Sequence, residues 1–188
     1  MSFDQLQNAP LRNIMVVGSA GSGKSTLARR MSEILGHRVI HVDHIYWQPN
    51  WVMRPAEEIH SLVLESIQTD GWIFEGNCSA TYPNRLARAD TIIWLKVPRI
   101  LCLWRATLRA LGNYGKSRPD MAEGCYDRLD WRFLKWVWNY PKNGRPKHEA
   151  LFENTKHTHS QFMLHSQDEV EEFVQALSNL QSKRLRAA

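Results

Sequence analysis

Gly18-Ser19-Ala20-Gly21-Ser22-Gly23-Lys24-Ser25 fits G-x-x-x-x-G-K-[ST] at every position, the spacing with which a chain cradles phosphate. Glycines let the loop wrap closely enough for successive backbone N–H groups to face phosphate oxygens, and a helix beginning at its end adds partial positive charge. In that chemistry Gly18 through Thr26 hold the phosphates, Lys24 reaches the β and γ phosphates, and the Ser25 hydroxyl ligates Mg²⁺. The implied ligand is ATP with Mg²⁺; nothing in the sequence separates ATP from GTP, and base selection is expected from a loop near Arg145 to Asn154.

The loop alone does not choose a reaction, because hydrolases, kinases and mechanical ATPases share it. Asp43 and Glu75 narrow the choice. Each reads as closing a strand, so a parallel sheet brings both carboxylates to the carboxyl edge where the phosphate loop lies. One would accept a proton from an acceptor hydroxyl and the other orient Mg²⁺ through water. Asp43 is the preferred base, with Glu75 open as the alternative and simple capping of the next element open for both. The most hydrophobic strand ends Leu95-Lys96-Val97-Pro98, without a terminal acid, which argues against a motor-type ATPase.

Cations concentrate in one stretch. Residues 96–147 hold 12 Lys+Arg and 4 Asp+Glu, a local +8, which leaves 12 basic and 15 acidic residues, or −3, elsewhere; the whole chain carries +5. Arg105 and Arg109 are four apart, as are Arg128 and Arg132, and helical spacing would put each pair on one face. With Arg118 they could close over a triphosphate and neutralise developing charge, giving Arg105, Arg109 and Arg118 a catalytic role. A phosphate-backbone clamp for nucleic acid is the competing use.

Eight tryptophans need placing. Trp47 and Trp51 flank Pro49-Asn50 beyond Asp43, where a flat wall could stack an acceptor. Trp72 and Trp94 read as core. Trp131, Trp136 and Trp138, with Phe133, Leu134 and Val137, form an apolar helix expected to pack the basic segment onto the body. His41 and His44 flank Asp43 but lack a third metal ligand.

The elements that must position these residues follow from periodicity. Residues 13–18, 38–43, 72–75, 91–97 and 161–164 read as strands, with 44–51 a loop. Helices are expected from Leu27 to the Gly36 stop, after Pro55 to Ile67, around Arg85 and Arg88, over 100–111, through the Trp-rich segment to Tyr140, and over 169–180 before a frayed basic tail at 181–188. Alternating strands and helices call for an α/β fold with a parallel sheet covered on both faces. The 188 residues, 43% hydrophobic and 23% charged, suit one domain with an insertion at about 99–147. No run approaches the ~20 apolar residues of a membrane helix and MSFDQLQNAP lacks a leader's layout, so a cytoplasmic location is expected. Cys78, Cys102 and Cys125 form no CxxC and read as reduced thiols.

With these residues in place, the chain resembles the adenylate-kinase-like P-loop kinases. It is more closely similar to their small bacterial relatives called DNA topology modulation protein, FlaR-like. Asp43 through Trp51, Trp72 through Asn77, Ala89 through Leu95, Cys102 through Arg105, Arg118 through Met121, Tyr140-Pro141 and Arg145 through Lys147 carry the likeness, which spans about 13–180. It implies a three-layer α/β/α P-loop fold with strand order 2-3-1-4-5, an acceptor-binding region after the second strand and a helical lid after the fourth. On the acceptor side it implies Asp43, Trp47, Trp51, Glu75, Asn77 and an acceptor-phosphate arginine at Arg85 or Arg88; Arg105, Arg109 and Arg118 would be lid arginines. Adenylate kinases carry Asp-Gly-Phe-Pro-Arg where this chain has Glu75-Gly76-Asn77-Cys78-Ser79, so AMP is not carried over. The expectation is a monomeric or homodimeric phosphotransferase acting on a nucleotide, nucleoside or similar hydroxylated acceptor. A nucleotide-dependent nucleic-acid-binding protein and a non-catalytic nucleotide sensor are the rival readings.

Overall fold

The computed structural model describes residue 3 and residues 5–187. Part of the amino-terminal segment read for a leader, and the last residue of the expected tail, lie outside the described residues.

Five parallel strands form the central sheet: β1 (Asn13–Gly18), β2 (Arg38–His41), β5 (Trp72–Glu75), β6 (Thr91–Leu95) and β7 (Ser160–Leu164). Their order is β2-β5-β1-β6-β7. Two-residue strands β3 (Trp47–Gln48) and β4 (Val52–Met53) form a separate antiparallel hairpin, so the sheet itself follows the expected 2-3-1-4-5. The three inner strands are buried along their whole length, which is why they read as unbroken apolar runs. Successive side chains on β1 alternate between layers. Ile14 and Val16 join Leu27, Met31 and Phe173 on one face, whereas Met15 and Val17 join Ile59, Val63 and Trp94 on the other.

Short helices α1 (Gln5–Asn8) and α5 (Tyr82–Leu86) lie before β1 and after β5. Helix α2 (Lys24–Leu35) leaves the phosphate loop and stops at Gly36, whose left-handed backbone returns its N–H to the Ser32 carbonyl. Helix α4 (Ala56–Ser66) begins with Glu57 and Glu58 in its first turn. Between β6 and β7 the chain runs through α6 (Arg99–Gly112), an irregular loop at 113–130, α7 (Trp131–Trp138), α8 (Tyr140–Asn143) and α9 (Arg145–Thr155). Helix α10 (Gln167–Ala187) closes the layer. No helix among the described residues is long and apolar enough to cross a membrane.

Several local expectations are corrected. Strand β2 ends at His41, and Asp43 lies instead in the first turn of the short helix α3 (Val42–Tyr46). Strand pairing stops where His41 meets Glu75, and Val42, the first residue of the helix, packs on Gly76 so closely that a Cβ there would stand 2.1 Å from Val42 Cγ1. The expected loop at 44–51 is the end of α3 plus half of the hairpin, whose tip holds Asn50 and Trp51 at φ of 65° and 62°. Arg128 precedes α7, so it shares no helical face with Arg132; Asp130 caps that helix by accepting from the Arg132 and Phe133 amides. Leu134 and Val137 are its buried anchors, while Trp131, Trp136 and Trp138 are exposed. The segment expected to be a base-selecting loop is helix α9, anchored by Leu151 and Phe152. The expected tail continues α10 to Ala187.

Candidate active site

The phosphate loop is shaped by contacts that only glycine permits. At Gly21, φ is +78° and a Cβ would stand 2.2 Å from the Cys102 carbonyl oxygen of α6. The neck of the loop is clamped from the side: Asn77 Nδ2 donates to the Gly18 carbonyl at 2.7 Å, and its Oδ1 accepts from the Gly18 amide at 3.2 Å. Lys24 Nζ donates to the Ser19 carbonyl at 3.0 Å. The Ser22 hydroxyl is buried without a hydrogen-bond partner, and the buried Ser19 hydroxyl has only the Cys102 thiol, a weak partner, beside it, which is costly unless a ligand supplies a better one. Ala20 is half-buried beside the core, and Thr26 is exposed on the first turn of α2. Enclosed hydroxyls, a lysine and a helix N-terminus form a donor set that fits phosphate.

Glu75 forms the floor. Register places it opposite His41 across β2 and β5, and its Oε1 accepts from His41 Nδ1 at 2.6 Å and from the Ser25 hydroxyl at 3.0 Å. Burial opposes its charge, yet the His41 bond, Lys24 and the Ser25 bond together hold its carboxyl below the ordinary range. Asp43 behaves in the opposite way. It keeps some water contact, but enclosure by protein, then the Glu75 charge, push it up to about 6 against the opposing pull of Lys24 and Arg118. The two carboxylates therefore divide into a fixed anion and a group that exchanges its proton near neutrality.

The 113–130 loop reaches over this floor. Asp120 lies against the Ser25 hydroxyl, and although burial raises it, Arg118, Ser25 and Arg109 keep it ionised below its ordinary value. Arg118 meets Asp120 at 2.9 Å and Asp127 at 2.7 Å. Arg109 stands beside Arg118 and near Asp127, Asp120 and Asp43, and burial lowers its pKa first, then the Arg118 charge. Arg105, one turn earlier, donates to Gln167 at 3.0 Å. Among the described residues no three His, Cys, Asp or Glu side chains are grouped to hold a metal ion. Ser25, whose hydroxyl is held by Glu75, is the residue that could hold Mg²⁺, an ion that otherwise keeps phosphate oxygens and water as its ligands.

Two sequence candidates move away from the acceptor side. Arg85 is completely buried; it donates to the Gly76, Cys78 and Asn77 carbonyls and stacks on Phe74 and Tyr82. It builds the turn that presents Asn77, and burial lowers its pKa to about 10. Arg88 sits at the opposite edge of the sheet, where it bonds Asp70 at 2.7 Å. Trp47 packs edge-on against Trp51, which donates Nε1–H to the Tyr126 carbonyl. Asn50 N–H donates to the Gly124 carbonyl and the Cys125 thiol to that of Gln48, so the hairpin is fastened to the 113–130 loop. Trp72 and Trp94 are core, as expected.

A buried chain escaped sequence reasoning. Trp94 Nε1–H donates to the Tyr140 hydroxyl, and His148 is hydrogen-bonded through Nδ1 to that hydroxyl at 2.6 Å and through Nε2 to the Tyr82 hydroxyl at 2.9 Å. Burial, then Lys24, hold His148 neutral with a pKa near 4. The chain joins α8 and α9 to the ring on which Arg85 rests. Its members lie up to 66 residues apart, and no spacing rule connects them.

Sheet order, phosphate loop and flanking layers define a P-loop kinase fold. No family model matches the chain. A curated relative, the uncharacterized protein YqaC of Bacillus subtilis (strain 168), is 27% identical over 135 residues, covering 71% of this chain and 75% of the relative. Among solved structures, the shikimate kinase from Acinetobacter baumannii in complex with shikimate has a TM-score of 0.58 at 17% identity, over 94% of this chain and 96% of that one. The shikimate kinase from Bacteroides thetaiotaomicron has 0.53 at 16%, over 89% and 96%. A gluconokinase from Sinorhizobium meliloti 1021 has 0.51 at 12%, over 91% of each chain. At these identities the likeness is one of fold.

Proposed function

We propose that this chain is an ATP-dependent phosphotransferase that acts on a hydroxyl of a small acceptor. It is one domain in which residues 99–147 serve as a lid, and the setting is cytoplasmic, as monomer or homodimer. The observation that carries the reading is the placing of the phosphate loop, with Lys24 and Ser25, at the same sheet edge as Glu75 and Asp43, the latter with its pKa pushed up to about 6 by burial. Ser19, Ser22 and the loop amides bind phosphate, Asn77 keeps the loop in register, and Lys24 swings from the Ser19 carbonyl to the β and γ phosphates. Mg²⁺, held at Ser25, would neutralise phosphate charge. Glu75, ionised and doubly bonded, orients the Ser25 hydroxyl, while Asp43 accepts the proton of the acceptor hydroxyl. Arg109 and Arg105 supply lid charge; Arg118 is balanced by two aspartates and serves more to brace the lid.

Lys24→Ala tests it. ADP formation in the presence of acceptor should fall by about 10³-fold or more while the fold, followed by circular dichroism, persists. Unchanged turnover in that variant would overturn the proposal.

A further inference from the structure

Helix α6 buries Cys102, Ala106 and Ala110 on the side that faces the body. Its opposite side is left uncovered among the described residues. Ile100, Trp104, Leu108 and Leu111 recur at intervals of four, four and three, which lines them up along one face of a helix, and all four are exposed, Trp104 by 60%. Helix α7 packs beside α6 and is anchored by Leu134 and Val137. It adds Trp131, 75% exposed, and Trp138, which are seven apart and so share a side of that helix. The two helices meet where the Arg99 guanidinium stands 4.1 Å from the Trp138 ring.

Scattered apolar residues on a surface need no explanation, whereas an aligned set marks a place that something covers. The charge around it indicates what. Neither α6 nor α7 contains an acidic residue, and Arg99, Arg132 and Lys135 stand exposed along them. The acids of the intervening loop are engaged elsewhere: Asp120 and Asp127 pair with Arg118, Asp130 caps α7, and Glu123 lines the cleft on the hairpin side. A second copy docked about a two-fold axis would set these cations against their own equivalents. A nucleic-acid strand would use the cations and indoles but has no use for Ile100, Leu108 and Leu111. An anionic lipid surface matches every component, because aliphatic side chains enter the acyl boundary, indoles sit at headgroup level and cations meet headgroup phosphates.

We propose that the α6–α7 face is a docking surface for an anionic lipid bilayer, on which the protein lies without crossing it. Docking leaves the carboxyl-edge site open, since Arg109, which stands near Asp43, belongs to the other side of α6. Binding of this kind adds apolar burial to charge attraction, so the lipid headgroup and the salt concentration separate its two parts.

Flotation of the full chain with vesicles tests it. At about 0.1 M salt, phosphatidylcholine vesicles containing about one third phosphatidylglycerol should retain the protein at least about tenfold more strongly than phosphatidylcholine alone, with a blue shift of tryptophan emission, and about 0.5 M salt should release most of it. Trp104→Ser combined with Leu108→Ser should lower the partition coefficient about tenfold or more while calorimetric ATP binding stays within about twofold. Arg132→Gln with Lys135→Gln should lower it about tenfold or more, each cation near such a surface contributing about fivefold. Lys183→Gln with Arg186→Gln removes the same charge from the exposed end of α10 and should leave partition within about twofold. Failure to float with anionic vesicles, equal flotation with neutral ones, tight binding kept by the serine variant, or an equal loss on removing the α10 charges overturns the proposal. Light scattering and an oligonucleotide mobility shift on the same variants name the alternatives. A dimer that the serine substitutions dissociate, or an oligonucleotide that they release, in protein that ignores anionic vesicles would give the face to a second copy or to nucleic acid and overturn the lipid assignment.

Discussion

At the amino edge of the sheet, Asn13, Asp70, Arg88 and Asp90 form a closed network. The Asn13 amide donates to Asp70 and to the Arg88 carbonyl and accepts from the Gly71 amide; Asp70 pairs with Arg12 and Arg88; Asp90 accepts from the Arg12 and Asn13 amides and from Thr91. At the carboxyl edge the same kinds of group are left open. The Ser22 hydroxyl is buried without a hydrogen-bond partner, and burial pushes the Asp43 pKa up to about 6. An unsatisfied buried group costs about 1–3 kcal/mol, a cost that a phosphate group received at this edge, as in the proposed function, would relieve. The closed edge holds the sheet together, whereas the open one keeps the donors that the proposed function assigns to phosphate.

Asp43→Asn tests the contrast most severely. The carboxylate is the proton acceptor in the proposed reaction, so kcat should fall by about 10²–10⁴-fold, and wild-type turnover should decline as pH drops below about 6. Stability should move the other way. Because the folded-state pKa, about 6, lies above the ordinary 3.8, the folded state binds more protons between those values, and stability falls as pH rises through that window. Above it the ionised carboxylate is a constant cost, on the order of 2 kcal/mol after allowance for its water contact. Asp43→Asn should therefore unfold at a higher temperature than wild type at pH 7.5, with the difference gone by about pH 4. A variant that loses both activity and stability at pH 7.5 would show that this edge is structural as well.

Asn13→Ala probes the closed edge. Removing the buried amide leaves Asp70, the Arg88 carbonyl and the Gly71 amide each short of a bond, which should cost about 2–3 kcal/mol in chemical denaturation. ATP affinity, measured by calorimetry, should stay within about twofold. A large loss of affinity would mean that the two edges are coupled through β1 and that the contrast is false.

The sheet and the phosphate loop were legible in the sequence because both are local. A run such as Ile14 to Val17 needs only its neighbours to be read as a buried strand, and the glycines of the loop announce the backbone they require. Asp43 and Glu75 were placed at the carboxyl edge, but the turn of the chain after His41 into α3 brings Val42 against Gly76, a contact between separate segments. Arg85, Arg54 and Asp120 illustrate the limit. A guanidinium stacked on Phe74 and one tethered to Glu58 look alike as letters, and charge counting assigned Arg118 to phosphate although Asp120 and Asp127 already balance it. What decides an arginine's role is which acceptors the fold leaves beside it.

Arg88→Ala is the gentlest break and the sharpest discriminator between position and motif. Its resemblance-derived role as an acceptor-phosphate arginine would demand a large rise in acceptor KM. The structure puts its guanidinium on exposed Asp70, which Arg12 also pairs, and a partly exposed ion pair of this kind contributes about 0–1 kcal/mol. Its backbone carbonyl still accepts from Asn13 in the variant, so the rest of the network survives the change. Turnover and acceptor KM should stay within about twofold of wild type, and the denaturation midpoint should shift only slightly. A tenfold rise in acceptor KM would return Arg88 to the acceptor side and would mean that the amino edge reaches the chemistry after all.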